Sequence, residues 1–488
     1  MTAVPIPEST ASPGLFHTRY TSVARNTIDY WMLPDDPSMT VERVERAIEN
    51  TPALDDASLQ LYVHVPFCAQ RCRFCAFSGG NSLEFDVAER YSRLLVEQMR
   101  HYVGRIAISG RAVRSVHLGG GSPDLLGPHA RTVLRGIRDL PGVTDETEIA
   151  VEFTASTVTE EFLDTLVEHE VTKASFGVQS VDPRVRRAMR QPPTMRHVEQ
   201  ALRWIDGRIP IVNADLITGM PGQDLSTVNR DLRAMLEEPR IHGISSYLLT
   251  SSAAPSLVAA VDSGEVPEPP SPAIQAAMRL HTYSTLQREG WIRRGTNTYL
   301  DPSRIAPEVF TRVSGNECIG GGDYESFLLG IGAQAVGNLP GVRVENLVDV
   351  NAWCDAVESG APPWHAAKCA TEHQRDTALW VMPLRWEGLP RRRFERMLHA
   401  GVLSQRQLRT LEDLTREGLL VETAEGYELS ILGEVFMGHL VRDLKSPDAR
   451  RAVDHYADEG DALGSAIASG ALPDANIAND RQRAPRQL

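Results

Sequence analysis

Three of the six cysteines in this 488-residue chain lie close together, at Cys68, Cys72 and Cys75. Thiolates are the usual protein ligands of iron–sulfur clusters. The CxxxCxxC spacing lets one tight loop bind three irons of a four-iron cube, and it leaves the fourth iron open to a chelating ligand. The spacing therefore predicts a 4Fe–4S cluster held by these three cysteines.

Two other roles for the three cysteines fit the pattern less well. A structural zinc site usually has four ligands in paired CxxC groups, and the nearest further candidate here is His64. Three clustered thiols cannot all pair with one another as disulfides. The N-terminus also lacks the charged and apolar segments of a secretory signal. We therefore expect a metal site in a cytoplasmic protein.

The cluster loop directly follows the first of six short apolar segments, which alternate with helical patterns. This alternation predicts parallel βαβ units, and in barrels of such units the functional groups lie at the C-terminal ends of the strands. The predicted strands are Leu61–Val65, Ser115–Leu118, Ile149–Phe153, Ala174–Val178, Val212–Ile217 and Ile244–Leu249. The predicted helices between them include Phe85–Val103, Thr159–Glu170 and Leu225–Glu238.

The sequence thus predicts an α/β fold, a partial (βα)6 TIM-like barrel followed by a C-terminal helical, winged-helix-like domain. The second domain is predicted from Leu408, Leu411 and Leu414 at helical spacing and from two short strands around a turn, Leu419–Val421 and Tyr427–Leu429. The predicted bounds are 1–60 for an N-terminal extension, 61–300 for the barrel, 301–370 for a glycine-rich segment, 371–445 for the winged-helix-like domain and 446–488 for a flexible tail.

The bulk composition argues against some classes of partner. A formal net charge of −14 disfavours a general nucleic-acid binder, so we expect a packing or lid role for the C-terminal domain. No run of about 18 apolar residues predicts a membrane span. We expect instead a small-molecule substrate, a flavodoxin or similar one-electron reductant, and a monomer.

The segment from Tyr62 to Cys68, YVHVPFC, with its three-cysteine loop resembles the radical S-adenosylmethionine (SAM) superfamily. Within it, the sequence resembles the oxygen-independent coproporphyrinogen III oxidase-like branch, from about Arg19 to Leu444. The resemblance implies a partial βα barrel, a 4Fe–4S cluster and two SAM molecules in one active site. An electron from the cluster would break a carbon–sulfur bond of SAM and give a 5′-deoxyadenosyl radical.

The resemblance also implies which residues contact SAM. They lie beside the cluster, in a GGGSP turn after the second strand, on later strands, and in a glycine-rich segment, Gly330–Gly337, that is similar to a family segment near the second SAM. These residues are Tyr62, Phe74, Gly120, Gly121, Ser122, Glu152, Gln179, Asp215 and Val336. Glu152 and Asp215 lie within apolar strands, where a carboxylate needs a partner, and this favours a site role for both.

Two departures from the family pattern bear on the reaction. The family's arginine after the SFGVQS segment falls at Gln191, so either Arg190 serves through a one-residue shift or a charged contact to SAM is lost. Coproporphyrinogen oxidases typically have CGC after the second loop cysteine, whereas this chain has Cys75-Ala-Phe77. The second departure disfavours the porphyrinogen reaction.

Three functions remain open from the sequence. The first is a class C methyltransferase-like enzyme that methylates or cyclopropanates an unsaturated carbon of a heteroaromatic natural product. The second is oxidative decarboxylation of coproporphyrinogen III, which would need cations such as Arg293, Arg294 and Arg312 to face several propionates. The third is a heme chaperone without catalysis, which the 61 residues before the YVHVPFC strand disfavour.

No catalytic residue is assigned from the sequence. Cys318 and Glu317 lie in a glycine-rich loop before the second-SAM segment and could form a thiol and acid pair there, although a small buried residue is the plainer interpretation of Cys318. Cys354 is predicted to be a helix core position, and Cys369 has no predicted role.

Overall fold

The computed structural model describes residues 40, 42, 59–75, 85–107, 112–192, 194–249, 254–295, 297–313, 327–339, 342–369, 383–384 and 388–445. Most of the predicted N-terminal extension, the predicted tail, and the candidate pair Glu317 and Cys318 lie outside the described residues. None of the described helices is long and apolar enough to cross a membrane.

One large sheet organises the described residues from Leu59 to Cys369. Its strands are, in chain order, β1 (Leu59–Val65), β2 (Val113–Gly120), β3 (Glu148–Phe153), β4 (Lys173–Gln179), β5 (Ile211–Thr218), β6 (Gly243–Leu248), β7 (Ile292–Arg294), β8 (Thr298–Leu300), β9 (Phe327–Ile331), β10 (Val336–Leu339), β11 (Val342–Asn346) and β12 (Trp364–Cys369). Their spatial order is β12-β11-β10-β9-β1-β2-β3-β4-β5-β6-β8-β7. The six predicted strands are confirmed as β1 to β6.

Helices connect and flank these strands. They are α1 (Phe85–Ala107), α2 (Ala130–Arg138), α3 (Glu160–Glu168), α4 (Pro183–Ala188), α5 (Arg196–Ile205), α6 (Leu225–Leu236), α7 (Pro255–Asp262), α8 (Pro272–Arg288), α9 (Pro307–Arg312) and α10 (Val350–Glu358). The predicted starts of two helices have caps, because Thr159 accepts from the Phe162 N–H and Asp224 accepts from the Thr227 N–H. The three predicted helices are confirmed as α1, α3 and α6.

Strands β1 to β6 pair in parallel, and β9 adds a seventh parallel strand on the other side of β1. The sequence did not predict β9, because it lies in a glycine-rich stretch without a clear alternation of apolar and polar residues. Pairing with β1 explains its conformation: Leu59 lies opposite Phe327, and Val63 lies opposite Ile331. The remaining strands, β7, β8 and β10 to β12, extend the two sides of the sheet in antiparallel fashion.

The two faces of the parallel strands differ in chemistry. Along β1, Leu61, Val63 and Val65 belong to the main hydrophobic core, which also includes buried residues of α1. The intervening residues, such as Tyr62 and His64, are buried as well but polar. Since successive side chains in a strand point to opposite faces, the helix-covered face is apolar and the barrel interior is lined by polar groups.

The C-terminal residues form a three-stranded antiparallel sheet with four helices. Their bounds are β13 (Leu389–Pro390), α11 (Arg391–His399), α12 (Gln405–Arg416), β14 (Leu420–Glu422), β15 (Gly426–Leu429), α13 (Ile431–Val435) and α14 (Met437–Leu444), with the strand order β13-β15-β14. A capping box between Ser404 and Gln407 starts α12. The predicted helix and the predicted strand pair are both present here.

A buried ionic group joins these C-terminal elements to the barrel. Glu434 of α13 pairs through Oε1 with Arg293 Nε at 2.9 Å, and the hydroxyl of Tyr299 donates to its Oε2. The guanidinium of Arg279 in α8 donates to the Glu434 carbonyl oxygen at 3.2 Å and to the Tyr283 hydroxyl at 2.9 Å. The contact therefore fixes α13 to both α8 and the β7–β8 hairpin.

Candidate active site

The three clustered cysteines lie in one loop after β1, where each is free and half-buried. Burial, together with the neighbouring Cys75 and Cys72, raises the pKa of the Cys68 thiol to about 11. Burial and Cys75 likewise raise the pKa of Cys72 to about 11. The thiols lie close enough to influence one another, and metal binding there would release their protons.

The glycine turn after β2 packs directly against this loop. Gly120 has a φ of 105°, in the left-handed region that favours glycine. The N–H groups of Gly121 and Ser122 donate to the carbonyl oxygens of Val65 and Phe67, each over 2.7 Å. A Cβ atom on Gly121 would lie 2.4 Å from the Phe67 oxygen, so a larger residue would displace the loop. The two segments therefore meet backbone to backbone at the C-terminal ends of β1 and β2.

Glu152, near the end of β3, has the partners that its apolar context requires. Its Oε1 lies 3.0 Å from His117 Nε2, and its Oε2 accepts from the Gly120 N–H at 3.1 Å. Burial alone would raise the pKa of Glu152, but the contact with His117, the Gly120 N–H and the charge of Lys173 hold that pKa below its ordinary value. The side chain is still 26% exposed. Glu152 is thus held as a carboxylate with a face open to a ligand.

Tyr62 and His64 form a second polar pair on the interior face of β1. The Tyr62 hydroxyl lies 2.8 Å from His64 Nδ1. Burial lowers the pKa of His64 to about 4, although Glu152 opposes the shift, so the imidazole is neutral at pH 7. The His64 ring occupies the space beside Gly120, where a Cβ atom would lie 2.4 Å from it. Tyr62 and His64 therefore form an uncharged, hydrogen-bonded pair, here called the neutral floor, in contact with the glycine turn.

The glycine-rich segment predicted near a second SAM lies next to Tyr62. Gly330 of β9 pairs with Tyr62 in register, and Leu328 and Ala335 pack against the tyrosine. A Cβ atom on Gly330 would lie 2.5 Å from the Val336 carbonyl carbon, so this glycine permits a close approach of β9 and β10. Val336 itself is half-buried. The structure thus brings Gly330–Gly337 to the side of β1 opposite the glycine turn.

Several hydrogen bonds fix the bend of this segment. The Gly332 N–H donates to Gln98 Oε1 at 2.8 Å, and the Ala333 N–H bonds the Tyr91 hydroxyl at 2.8 Å. Asn346 Nδ2 donates to the Gly332 carbonyl oxygen at 2.7 Å. Helix α1 and strand β11 therefore hold the segment in place beside β1.

Gln179 and Asp215 lie on the far side of the barrel opening from β9. Gln179 has a φ of 64° at a register shift between β4 and β5, and its buried Oε1 has no hydrogen-bond partner among the described residues. Asp215 Oδ1 accepts from Asn213 Nδ2 at 2.9 Å. The same amide contacts Ser175 and Ser245. A strained backbone and an unpaired amide oxygen mark Gln179 as a group that can serve a ligand.

The described residues fit the predicted cofactors. Three neighbouring thiols can serve a cluster, and the open face of Glu152 and the unpaired oxygens of Gln179 and Gln191 can serve a polar ligand beside it. Within the described part of the chain, no group of three or more His, Cys, Asp or Glu side chains has the spacing for a single metal ion.

Residues 62–235, from β1 into α6, match the family model described as the radical SAM superfamily. This stretch of the chain is a radical SAM domain. The predicted family is therefore confirmed, and so are its cofactors, a 4Fe–4S cluster and SAM. The number of SAM molecules stays a prediction.

Curated relatives of this radical SAM protein have several activities. An oxygen-independent coproporphyrinogen III oxidase from Bradyrhizobium diazoefficiens is 28% identical over 62% of this chain and 67% of its own length. An anaerobilin synthase from Escherichia coli O157:H7 is 24% identical over 62% of this chain and 66% of its own length. The heme chaperone HemW from Escherichia coli K12 is 31% identical over 39% of this chain and 50% of its own length. The chain thus spans about two thirds of the first two relatives.

A solved structure confirms the predicted fold. Coproporphyrinogen III oxidase (HemN) from Escherichia coli is 18% identical, with a TM-score of 0.67 over 84% of this chain and 94% of that chain. At this identity the likeness shows the fold, and it does not assign the reaction.

The structure places Gln191, and not Arg190, against the cluster loop of the radical SAM domain. The Gln191 side chain lies close enough to Cys72 to act against the rise in the pKa of that thiol. Arg190 is exposed, and its φ is 57°. A buried cation, Arg186, lies nearby and donates from Nη1 to the Val178 carbonyl oxygen at 2.7 Å. Gln191 is thus the nearer of the two predicted alternatives to the cluster loop, and which of them contacts SAM stays a prediction.

Four buried residues near the radical SAM site were not predicted from the sequence. His64 and His117 contact Tyr62 and Glu152, while Arg73 lies within the cluster loop and Arg186 lies near Cys72. The sequence signal for these residues was a histidine or an arginine among apolar neighbours. Most of their partners are distant in sequence, so this signal did not identify what they contact. Phe74, a predicted contact, packs with the small hydrophobic cluster around Met189 and Leu257.

The other described cysteines lie apart from the radical SAM site. Cys354 is buried in α10, as predicted, and burial raises the pKa of its thiol to about 11. Cys369 ends β12, where it pairs with Val342.

Proposed function

We propose that this radical SAM enzyme binds two SAM molecules and methylates or cyclopropanates an unsaturated carbon of a heteroaromatic natural-product substrate. The observation that carries the proposal is the position of Gly330–Gly337. This segment lies beside β1, with Leu328 and Ala335 against Tyr62. A second SAM bound there would be a neighbour of a first SAM at Glu152 and the glycine turn.

The chain's own residues have distinct tasks in this proposal. When bound, the reduced cluster and SAM supply a radical that abstracts a hydrogen atom. Cys68, Cys72 and Cys75 would hold the cluster, and Glu152 would accept hydrogen bonds from polar groups of SAM. The neutral floor of Tyr62 and His64 would exclude bulk water from the reacting atoms. A flavodoxin-like protein is the proposed electron donor.

Coproporphyrinogen III decarboxylation is the second candidate, because one of the curated relatives cited above is an oxygen-independent coproporphyrinogen III oxidase by name. Three arginines bear on it. Arg293 pairs with Glu434, and the Arg294 guanidinium lies 4.6 Å from the centre of the Phe310 ring. Arg312 donates to a backbone carbonyl oxygen over 2.7 Å. All three are engaged by the protein, which does not support a pocket for several propionates.

The proposal is tested with methyl-deuterated SAM. The anaerobically reconstituted protein is incubated with a reductant and a heteroaromatic surrogate such as indole. We expect 5′-deoxyadenosine and S-adenosylhomocysteine in about equal amounts, with deuterium in the 5′-deoxyadenosine, because the adenosyl radical takes its hydrogen from the second SAM. Protein lacking the three loop cysteines is the control and should give neither product.

Parallel reactions distinguish the alternatives. With coproporphyrinogen III, deuterium-free 5′-deoxyadenosine, carbon dioxide and a porphyrin product would overturn the methylation proposal in favour of decarboxylation. A heme-dependent spectral change without SAM cleavage would favour the chaperone function. Either result leaves the fold and family unchanged.

A further inference from the structure

Arg73 lies between two of the predicted cluster ligands, Cys72 and Cys75, and its side chain is only 5% exposed. Its neighbour Arg71, in the same loop, is exposed. A buried guanidinium is unfavourable unless its charge and its donors are satisfied. The partners of Arg73 therefore indicate what holds this part of the loop.

The first partners of Arg73 lie at the end of α4. The Arg73 N–H donates to the Met189 carbonyl oxygen at 3.3 Å, and Nη1 donates to the Ala188 carbonyl oxygen at 2.8 Å. Since these carbonyls follow the last turn of a helix, they also attract a cation. Backbone and side chain of one residue thus bind the same helix end.

The second set of partners lies on and just after α7, on the segment that follows β6. Arg73 Nη2 forms an ion pair with Glu265, and Ser256 Oγ donates to the Arg73 carbonyl oxygen at 3.2 Å. The next residue, Phe74, packs with a small hydrophobic cluster that contains Met189 and Leu257. The loop therefore begins at β1, in the main core, and is fixed at its other end to a separate cluster formed by α4 and α7.

We propose that Arg73 is a positioning residue that fastens the three-cysteine loop to α4 and to the segment Pro255–Glu265, and that this fastening sets how long the cluster stays bound. The inference rests on the proposed ligation of the cluster by the loop. Without the guanidinium, the loop keeps its backbone bonds to Met189 and Ser256 but loses its side-chain contacts with Ala188 and Glu265, so the thiolates separate more often and iron is lost. Arg73 acts through the loop and does not itself touch the cluster.

The contacts of the Arg73 side chain with Glu265 and with the end of α4 should differ in how strongly they hold the loop. Glu265 is 57% exposed, and ion pairs that reach solvent contribute little. The guanidinium itself is 5% exposed, and its bond to the Ala188 carbonyl oxygen is partly buried. Replacing Arg73 should therefore have a larger effect than replacing Glu265.

The test measures iron loss from the reconstituted holoprotein after an iron chelator is added, followed by the cluster absorption. Arg73→Met should release iron about tenfold faster than the wild type, the effect typical of residues that orient metal ligands. Arg73→Lys should recover part of the loss, and Glu265→Gln should change the rate by about twofold. Arg71→Met is the matched control and should release iron at the wild-type rate.

A second measurement needs no cluster. In the apoprotein, hydrogen exchange of residues 68–75 should be faster in Arg73→Met than in Arg71→Met, with equal exchange in β1. Equal iron release and equal loop exchange in the two variants would overturn the inference, and so would a general loss of stability with unchanged iron release. If Arg73→Met does not fold, Glu265→Ala decides by the same two measurements. Failure of the wild type to bind about four irons would instead overturn the proposed cluster ligation.

Discussion

The pKa values of two carboxyl groups are shifted in opposite directions: that of the partly exposed Glu152 at the mouth of the barrel, and that of the buried Glu434 at the junction with the C-terminal helices. Contacts with His117 and the Gly120 N–H outweigh burial at Glu152, so its pKa lies below its ordinary value. At Glu434, burial outweighs the charge of Arg293, and the pKa is raised.

The difference follows from what surrounds each group. Both oxygens of Glu434 are occupied by Arg293 and Tyr299, and the residue is 4% exposed. Glu152 is fixed by its neighbours but keeps an open face. A carboxylate that the fold closes on all sides serves stability, whereas one held charged and open is arranged for a ligand. Changes at the mouth should therefore alter cofactor binding, and changes at the junction should alter stability.

The largest effect is expected from replacing Cys68, Cys72 and Cys75 together by alanine. Because the three thiols are the proposed ligands, the variant should bind no cluster after anaerobic reconstitution. Iron and sulfide analysis and the visible absorption measure this. Iron content equal to that of the wild type would contradict the assignment of the mouth as the cofactor region.

Glu434→Ala should produce the largest loss of stability at the junction. It leaves the Arg293 guanidinium buried without its carboxylate, a change that costs about 3–5 kcal/mol of unfolding free energy. Denaturant unfolding of the apoprotein measures it, and the exposed Glu428→Ala in β15 is the control. SAM affinity of the folded variant should match the wild type. A selective loss of SAM binding would place the junction in the active site.

Glu152→Gln should weaken SAM binding by about 1–2 kcal/mol, because hydrogen bonds to a charged acceptor are the stronger ones. The cluster and the melting temperature should be nearly unchanged. Equilibrium dialysis of the reconstituted protein gives the affinity, and Glu148→Gln at the opposite end of β3 is the control. A large drop in melting temperature with normal SAM binding would show that Glu152 serves the core instead.

The smallest expected effect is an opposite pH dependence of stability at the two carboxylates. The pKa of Glu152 in the folded protein lies below its ordinary value of 4.5. Ionised Glu152 therefore stabilises the fold above pH 4.5, and this stability is lost as the pH falls through the folded-state pKa. The pKa of Glu434 in the folded protein lies above its ordinary value of 4.5. Protonated Glu434 therefore stabilises the fold below pH 4.5, and this stability is lost as the pH rises through the folded-state pKa. Relative to Glu152→Gln, the wild type should gain stability as the pH rises towards about 4.5, and relative to Glu434→Gln it should lose stability as the pH rises above about 4.5. Equal slopes of the unfolding free energy against pH in the two comparisons would contradict the predicted difference between Glu152 and Glu434.

The parts of this molecule that could be predicted from the sequence are those encoded locally. The six strands are short apolar segments between helical patterns, the helices begin at residues such as Thr159 and Asp224, and the three cysteines share one loop. Each signal spans fewer than about 20 residues, which is the range over which periodicity acts.

Contacts between distant residues could not be predicted in this way. Arg73 bonds Ala188, 115 residues away, and Glu265, 192 residues away. His117 meets Glu152 because β2 and β3 are neighbours in the sheet. The choice of Gln191 over Arg190 depends on the backbone turn after α4. Such pairings are fixed by the order and register of the strands, which residue types alone do not specify.

The position of β9 has a consequence for how the chain is made. Strand β1 lies between β2 and β9, although Leu59 and Phe327 are about 270 residues apart. At a typical synthesis rate of roughly 5–20 residues per second, the ribosome needs on the order of 15–55 s to deliver β9 after β1. During that time the strand that precedes the cysteine loop has an unpaired edge on the nascent chain. Iron and sulfide delivered after translation would therefore meet a completed pocket, whereas earlier delivery would meet bare thiols.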